Sequence, residues 1–190
     1  MGTMGSYQIW IPFFRFCRVS EDKIEITPSI FFGCSFVFDS IRQAVFISRQ
    51  ILRVSISNIE VPFSDISCHL QSRDFSDSWV GGLGGGSYSP GGTTYTIEVT
   101  ARHGRRFKIA EISDGHNARR IFEAIWIMSN RKAIHEEVLR NPGISHTELL
   151  RRFAGDRVTK EAAVRELLDT RELKCERRGR VRRYYTYKRD

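Results

Sequence analysis

Residues 141–168 read NPGISHTELLRRFAGDRVTKEAAVRELL, and residues 177–187 read RRGRVRRYYTY. Asn141-Pro142-Gly143 is a helix stop: Pro142 disfavours helical backbone at the residue before it, and Gly143 accepts a left-handed turn. Ahead of the stop, Arg131 to Asn141 reads as a helix with Ile134, Val138 and Leu139 on one face. Behind it, Ser145-x-x-Glu148 is a capping box that opens a second helix, with Leu149, Leu150 and Phe153 as its buried stripe. Past Gly155-Asp156, Thr159 is the expected cap of a third helix in which Ala163, Val164, Leu167 and Leu168 share a face. The period then drops to two. Leu173 and Cys175 alternate into Arg177-Arg178-Gly179-Arg180, and the chain returns as VRRYYTY. That is a β-hairpin with Gly179 at its tip and arginines on both arms.

The charge follows the same division. The 190-residue chain carries a net +8, and residues 1–130 hold thirteen basic against twelve acidic residues. Residues 131–190 hold seventeen against ten, and Arg171 to Arg189 alone holds nine basic residues against Glu172 and Glu176. Such asymmetry points to different partners for the two parts. No stretch approaches the roughly 18 apolar residues of a membrane-spanning helix, and residues 40–53 offer only Arg42, Arg49 and Arg53 to an anionic lipid, so membrane is not the expected partner. Cys17, Cys34, Cys68 and Cys175 form no CxxC, so free thiols in a reducing cytoplasm are expected. His69, His103, His116, His135 and His146 show neither HxxxH nor HExxH spacing, so no metal site and no cofactor is expected. The glycine-rich GGLGGGSYSPGG (81–92) lacks the Lys and the following helix of a phosphate-binding loop. No nucleophile motif appears, and no catalytic residue is assigned. The chain reads as a binding protein rather than an enzyme.

Upstream, FVFD (36–39), AVFIS (44–48), LRVSIS (52–57), ISCHLQ (66–71), TYTIEVT (94–100) and RFKIAEI (106–112) are rich in β-branched and aromatic residues, several alternating with period two. His103-Gly104 marks a turn between the last two. Residues 72–92 read as a long, mobile hairpin loop, because their glycines disfavour a strand or helix interior. Ser113 or Asp114 caps a helix carrying Ile121, Phe122, Ile125 and Met128, and residues 117–140 form one helix or two broken near Ser129-Asn130. The aromatic IWIPFFRF (9–16) is an extra strand or core cover, with an exposed docking patch as the other reading.

Two resemblances follow. FVFD-turn-AVFIS, VPFSDI (61–66), the YTIEV and GRRFKIA strands and the HNARRIFEAI helix resemble prokaryotic pleckstrin-homology-like domains over about residues 24–130. NPGIS-x-x-EL and GRVRRYY are similar to prokaryotic winged-helix transcription regulators over residues 131–190. Together they imply an α+β chain: an antiparallel PH-like open barrel capped by its C-terminal helix (7–130), then a small winged helix-turn-helix domain (131–190). The resemblance implies a regulator or chromatin-associated adaptor that binds double-stranded DNA, with the first domain binding a protein partner or a second copy. On that reading Arg157, Lys160 and Arg165 of the third helix, and Arg177, Arg178, Arg180, Arg182 and Arg183 of the wing, contact nucleic acid. The alternative is a scaffold whose two domains both bind proteins, or a membrane-surface adaptor. One position departs from the regulators, which place Gly near Arg171. A left-handed non-glycine residue costs about 1–2 kcal/mol, so a differently built turn is expected there.

Overall fold

A computed structural model of the chain describes residues 7–11, 15–27, 32–51, 54–75, 78–82, 85–89, 91–102 and 104–187. Six consecutive strands, β1 (Tyr7–Ile11), β2 (Arg15–Val19), β3 (Lys23–Thr27), β4 (Phe32–Asp39), β5 (Ala44–Ile51) and β6 (Val54–Pro62), form an antiparallel meander. A 3-10 turn at Phe63–Asp65 follows. Then β7 (Ile66–Phe75), β10 (Gly92–Ala101) and β11 (Arg106–Ile112) pair in the order β11-β10-β7, while β8 (Ser78–Gly82) and β9 (Gly85–Ser89) form a two-stranded ribbon. The second half holds α1 (Gly115–Arg140), β12 (Ile144–Ser145), α2 (His146–Arg151), α3 (Arg157–Asp169), β13 (Leu173–Arg178) and β14 (Val181–Thr186). Its three strands run in the order β12-β14-β13.

The expected pair of an open barrel and a separate winged-helix domain is therefore corrected to one small, mostly antiparallel α+β fold. No barrel closes among the described residues. The 3-10 turn after Pro62 separates β6 from β7, and each strand pairs only with neighbours in its own sheet. Nor does the chain split between two helices. α1 is continuous for 26 residues, and the charge boundary at residue 130 falls inside it. Ala124, Ile125, Trp126, Ile127, Met128 and Ser129 are all buried, because the sheets pack on one side of α1 and α3 on the other. Ile24, Ile26, Phe36, Phe38, Ile97 and Ile109 of the sheets, Ile121 and Ile134 of α1, and Leu149, Leu167 and Tyr184 beyond it belong to one continuous core.

The described part of residues 72–92 is likewise corrected from loop to paired strands. The β7–β10 ladder runs to Phe75↔Gly92, and β8 pairs β9 from Ser78↔Ser89 to Gly82↔Gly85. Cross-strand hydrogen bonding there overrides the weak strand propensity of glycine. The segment 9–16 supplies the end of β1 and the start of β2, while Pro12, Phe13 and Phe14 lie outside the described residues, as does His103. Gly104 holds the β10–β11 turn at φ +77°.

The local signals around the helices fare variously. Asp114 caps α1 by accepting from the backbone N–H groups of His116 and Asn117. Ser145 caps α2, accepting from Glu148 N at 3.3 Å. The cap of α3 is Asp156 rather than Thr159. Its carboxylate accepts from Thr159 N at 3.0 Å and from Thr159 Oγ1 at 2.7 Å, which places Thr159 in the first turn. Hydrogen bonds to Thr159 hold the Asp156 carboxyl below its ordinary value despite partial desolvation.

The turn after α3 is not built around Arg171 but through it. Arg171 sits at φ +59°. Arg171 N donates to Leu168 O at 3.1 Å and Glu172 N to Leu167 O at 2.9 Å, the two bonds of a Schellman ending. A side chain there is strained, so Arg171→Gly is expected to stabilise the chain by about 0.5–1 kcal/mol, less than the full left-handed penalty because glycine also frees the unfolded chain. A urea melt gives the value; unchanged or lower stability would mean that the turn tolerates Arg171 without strain.

Candidate nucleic-acid interface

The hairpin is fixed at its base and free at its tip. Ile144↔Tyr184 and Ser145↔Arg183 join β14 to β12, and Gly143 N donates to Tyr184 O at 2.8 Å. Gly143 is at φ +82°, a conformation that favours glycine, and a Cβ there would lie 3.0 Å from the Tyr185 hydroxyl, a tight contact. Tyr184 is buried, which pushes its phenol above the ordinary value. Its hydroxyl shares a hydrogen bond of 2.8 Å with His146 Nδ1. The other His146 nitrogen lies 3.6 Å from Glu161 Oε1, so one imidazole ties α2, α3 and β14 together.

Beyond Tyr184 the hairpin leaves the core. Glu176 opposes Arg183, Arg177 opposes Arg182, and Arg178 opposes Val181 across a two-residue turn with Gly179 at φ +62°. Arg177, Arg180, Arg182 and Arg183 are exposed, and among the described residues none has a carboxylate within 4.0 Å. Arg177 Nε donates to Gly179 O at 3.3 Å, and Arg183 Nη1 to Gly143 O at 2.9 Å. Arg183 is thus partly a brace for the hairpin base. Like charges directly opposite on neighbouring strands repel. Arg182→Thr is therefore expected to raise the unfolding free energy by a few tenths to about 1 kcal/mol; a drop in thermal stability would show that Arg182 packs rather than repels.

The three α3 positions divide. Lys160 is half-buried, and its ammonium donates to Leu150 O at 2.9 Å and Phe153 O at 3.1 Å, satisfying carbonyls at the end of α2. It is a structural residue. Arg157 is 79% exposed but bonded to Glu161 at 2.7 Å, and this guanidinium holds the Glu161 carboxyl below the usual carboxylate range. Arg165 is exposed on the same face, and no ion pair involves it among the described residues. Of the acids on α3, Glu166 turns to Arg131 of α1 at 3.6 Å; burial, opposed by Arg131, raises its carboxyl above the ordinary value. Arg131 also pairs with Glu172 just past α3. Gly155–Val158 form one wall of a cleft of about 630 Å³ whose other wall is Cys68–Gln71 of β7. The first turn of α3 thus borders this cleft with Arg157 and Val158 still exposed, and the hairpin tip stands clear of the core.

Sequence reasoning missed the groups that hold this arrangement: His146, Tyr184 and Arg131. The alternation of Tyr184 with Arg182 was the available signal, since it puts one residue over the core and the other just past its edge. Cys17, Cys34, Cys68 and Cys175 are free, and burial pushes the Cys17 and Cys68 thiols up to about 12. Among the described residues no helix is long and apolar enough to cross a membrane. No protein-family model, curated protein or solved structure matches this chain.

Proposed function

We propose that this protein binds double-stranded DNA through the β13–β14 hairpin, by contacts to the phosphate backbone. The carrying observation is the group of exposed arginines, Arg177, Arg180, Arg182 and Arg183, that no carboxylate answers among the described residues. Guanidinium forks suit phosphate oxygens, and a polyanion seated between Arg177 and Arg182 relieves their mutual repulsion. Sequence discrimination is weak on this reading, because α3 offers few base-reading groups: Lys160 is engaged internally and Arg157 carries Glu161 beside it. Arg165 is its one basic side chain, among those assigned to DNA, without an internal partner.

Fluorescence anisotropy of labelled duplex, titrated with the full-length chain at several salt concentrations, tests the proposal. The expected slope of log K against log salt is about −2 to −3 per protomer, with little difference between unrelated duplexes. Absence of binding at low salt rejects it and favours a chain whose surfaces bind proteins.

A further inference from the structure

We infer that His146 is a proton-operated switch that sets whether Arg157 joins the DNA-binding surface, an inference that rests on the duplex reading above. Two cations address one oxygen. Arg157 Nε donates to Glu161 Oε1 at 2.7 Å, and His146 Nε2 lies 3.6 Å from the same Oε1. Among the described residues Glu161 is the one carboxylate within 4.0 Å of either. A guanidinium is charged at every working pH, whereas histidine is the side chain whose charge ordinarily changes between pH 5 and 8. With the imidazole neutral, the three groups sum to zero and Glu161 belongs to Arg157. With the imidazole protonated, they carry one positive charge in excess, and one carboxylate cannot answer both cations in full.

Exposure decides where the excess charge appears. The His146 side chain is 22% exposed and that of Arg157 79%. The imidazolium is held between α2, α3 and β14, far from bulk water's screening, so it keeps Glu161; the guanidinium, already in solvent, is the group released. The ring also takes up its proton without orphaning a partner. Tyr184 Oη lies 2.8 Å from Nδ1, and a hydroxyl accepts from an N–H as well as it donates to a bare ring nitrogen.

The neighbouring groups leave the imidazole as the one that titrates. Burial raises the Tyr184 phenol, so it stays a hydroxyl, and Arg157, with His146 after it, keeps the Glu161 carboxyl low and therefore charged. On α2, Glu148 pairs with Arg152 at 3.0 Å, and Arg152 also takes Glu137 of α1. On α3, Lys160 is held by the Leu150 and Phe153 carbonyls, and Arg165, one turn beyond Glu161, makes no ion pair among the described residues. On β14, Arg183 is held by Gly143 O. Arg182 of β14 and the Cys175 thiol of β13 bear on the Tyr184 hydroxyl; of these, Arg182 opposes the proton that Glu161 favours.

Anisotropy of labelled duplex with the full-length chain, over several salt concentrations at about pH 5.5 and about pH 8, tests this. At the lower pH the parent is expected to bind roughly fivefold or more tightly near 0.1 M salt, with the slope of log K against log salt steeper by about one. His146→Gln has no proton site and is expected to keep the shallower slope at both pH values. Arg157→Ala is expected to do the same, which separates release of Arg157 from direct contact by the imidazolium. Glu161→Gln no longer holds Arg157 and is expected to show the steeper slope at both. Arg157 and Glu161 end in solvent, so these two variants carry the test even where His146→Gln fails to fold. A parent that binds with one slope at both pH values overturns the inference and leaves the duplex reading standing. A pH-dependent slope that survives in His146→Gln or in Arg157→Ala overturns it likewise. Absence of binding at both pH values overturns the duplex reading and this inference with it.

Discussion

Gly155→Ala is expected to lower the unfolding free energy by about 2–4 kcal/mol, combining a glycine-only backbone conformation with a steric clash. Gly155 sits between α2 and α3 at φ +116°, where an L side chain is strained whatever the space around it. The space is also closed: a Cβ would lie 2.9 Å from Trp126 Nε1 and 3.2 Å from Cε2. Trp126 is 3% exposed, in the run of α1 buried on all sides, so its ring has little freedom to move. Urea denaturation measures the loss, and one transition is expected because the core is continuous through α1. Adding Trp126→Phe separates the two causes, since the smaller ring relieves the contact and leaves the backbone strain. A loss under about 1 kcal/mol for Gly155→Ala would mean that the α2–α3 connection does not pack on α1.

That connection also shows where sequence reading stopped. Period and turn chemistry are local, so the β13–β14 hairpin was legible from its alternation and Gly179, and the caps at Asp114 and Ser145 from their residue types. The continuity of α1 was not. Burial from residue 124 to 129 erases the one-sided stripe by which a helix announces itself, and Ser129-Asn130 resembles a break when it is the middle of the molecule. The division of strands between sheets depends on pairing partners far apart in sequence, as with Phe75↔Gly92, which nothing local specifies. The same limit governs the candidate site. Lys160 and Arg165 look alike in the sequence of α3, but the carbonyls of Leu150 and Phe153 take up one of them and leave the other exposed.

The Arg177→Ala, Arg180→Ala, Arg182→Ala variant is expected to bind duplex DNA roughly a hundredfold more weakly near 0.1 M salt, with the salt slope flattened by about two to three. The two quantities belong together. Each phosphate contact releases condensed counterion, so losing contacts lowers affinity and salt sensitivity in one proportion, whereas a folding defect lowers the active fraction and leaves the slope alone. Arg183 is kept in this variant because it braces the hairpin base through Gly143 O. Lys160→Met supplies the opposite signature. It frees two carbonyls at the end of α2 and is expected to lower stability by about 1 kcal/mol while leaving the DNA slope unchanged. Arg165→Ala separates the hairpin from the helix: a slope flattened by about one adds α3 to the surface, and an unchanged slope confines binding to the hairpin. Equal loss of affinity in the Lys160 and triple-arginine variants, with the parental slope in both, would remove the hairpin arginines from the interface altogether.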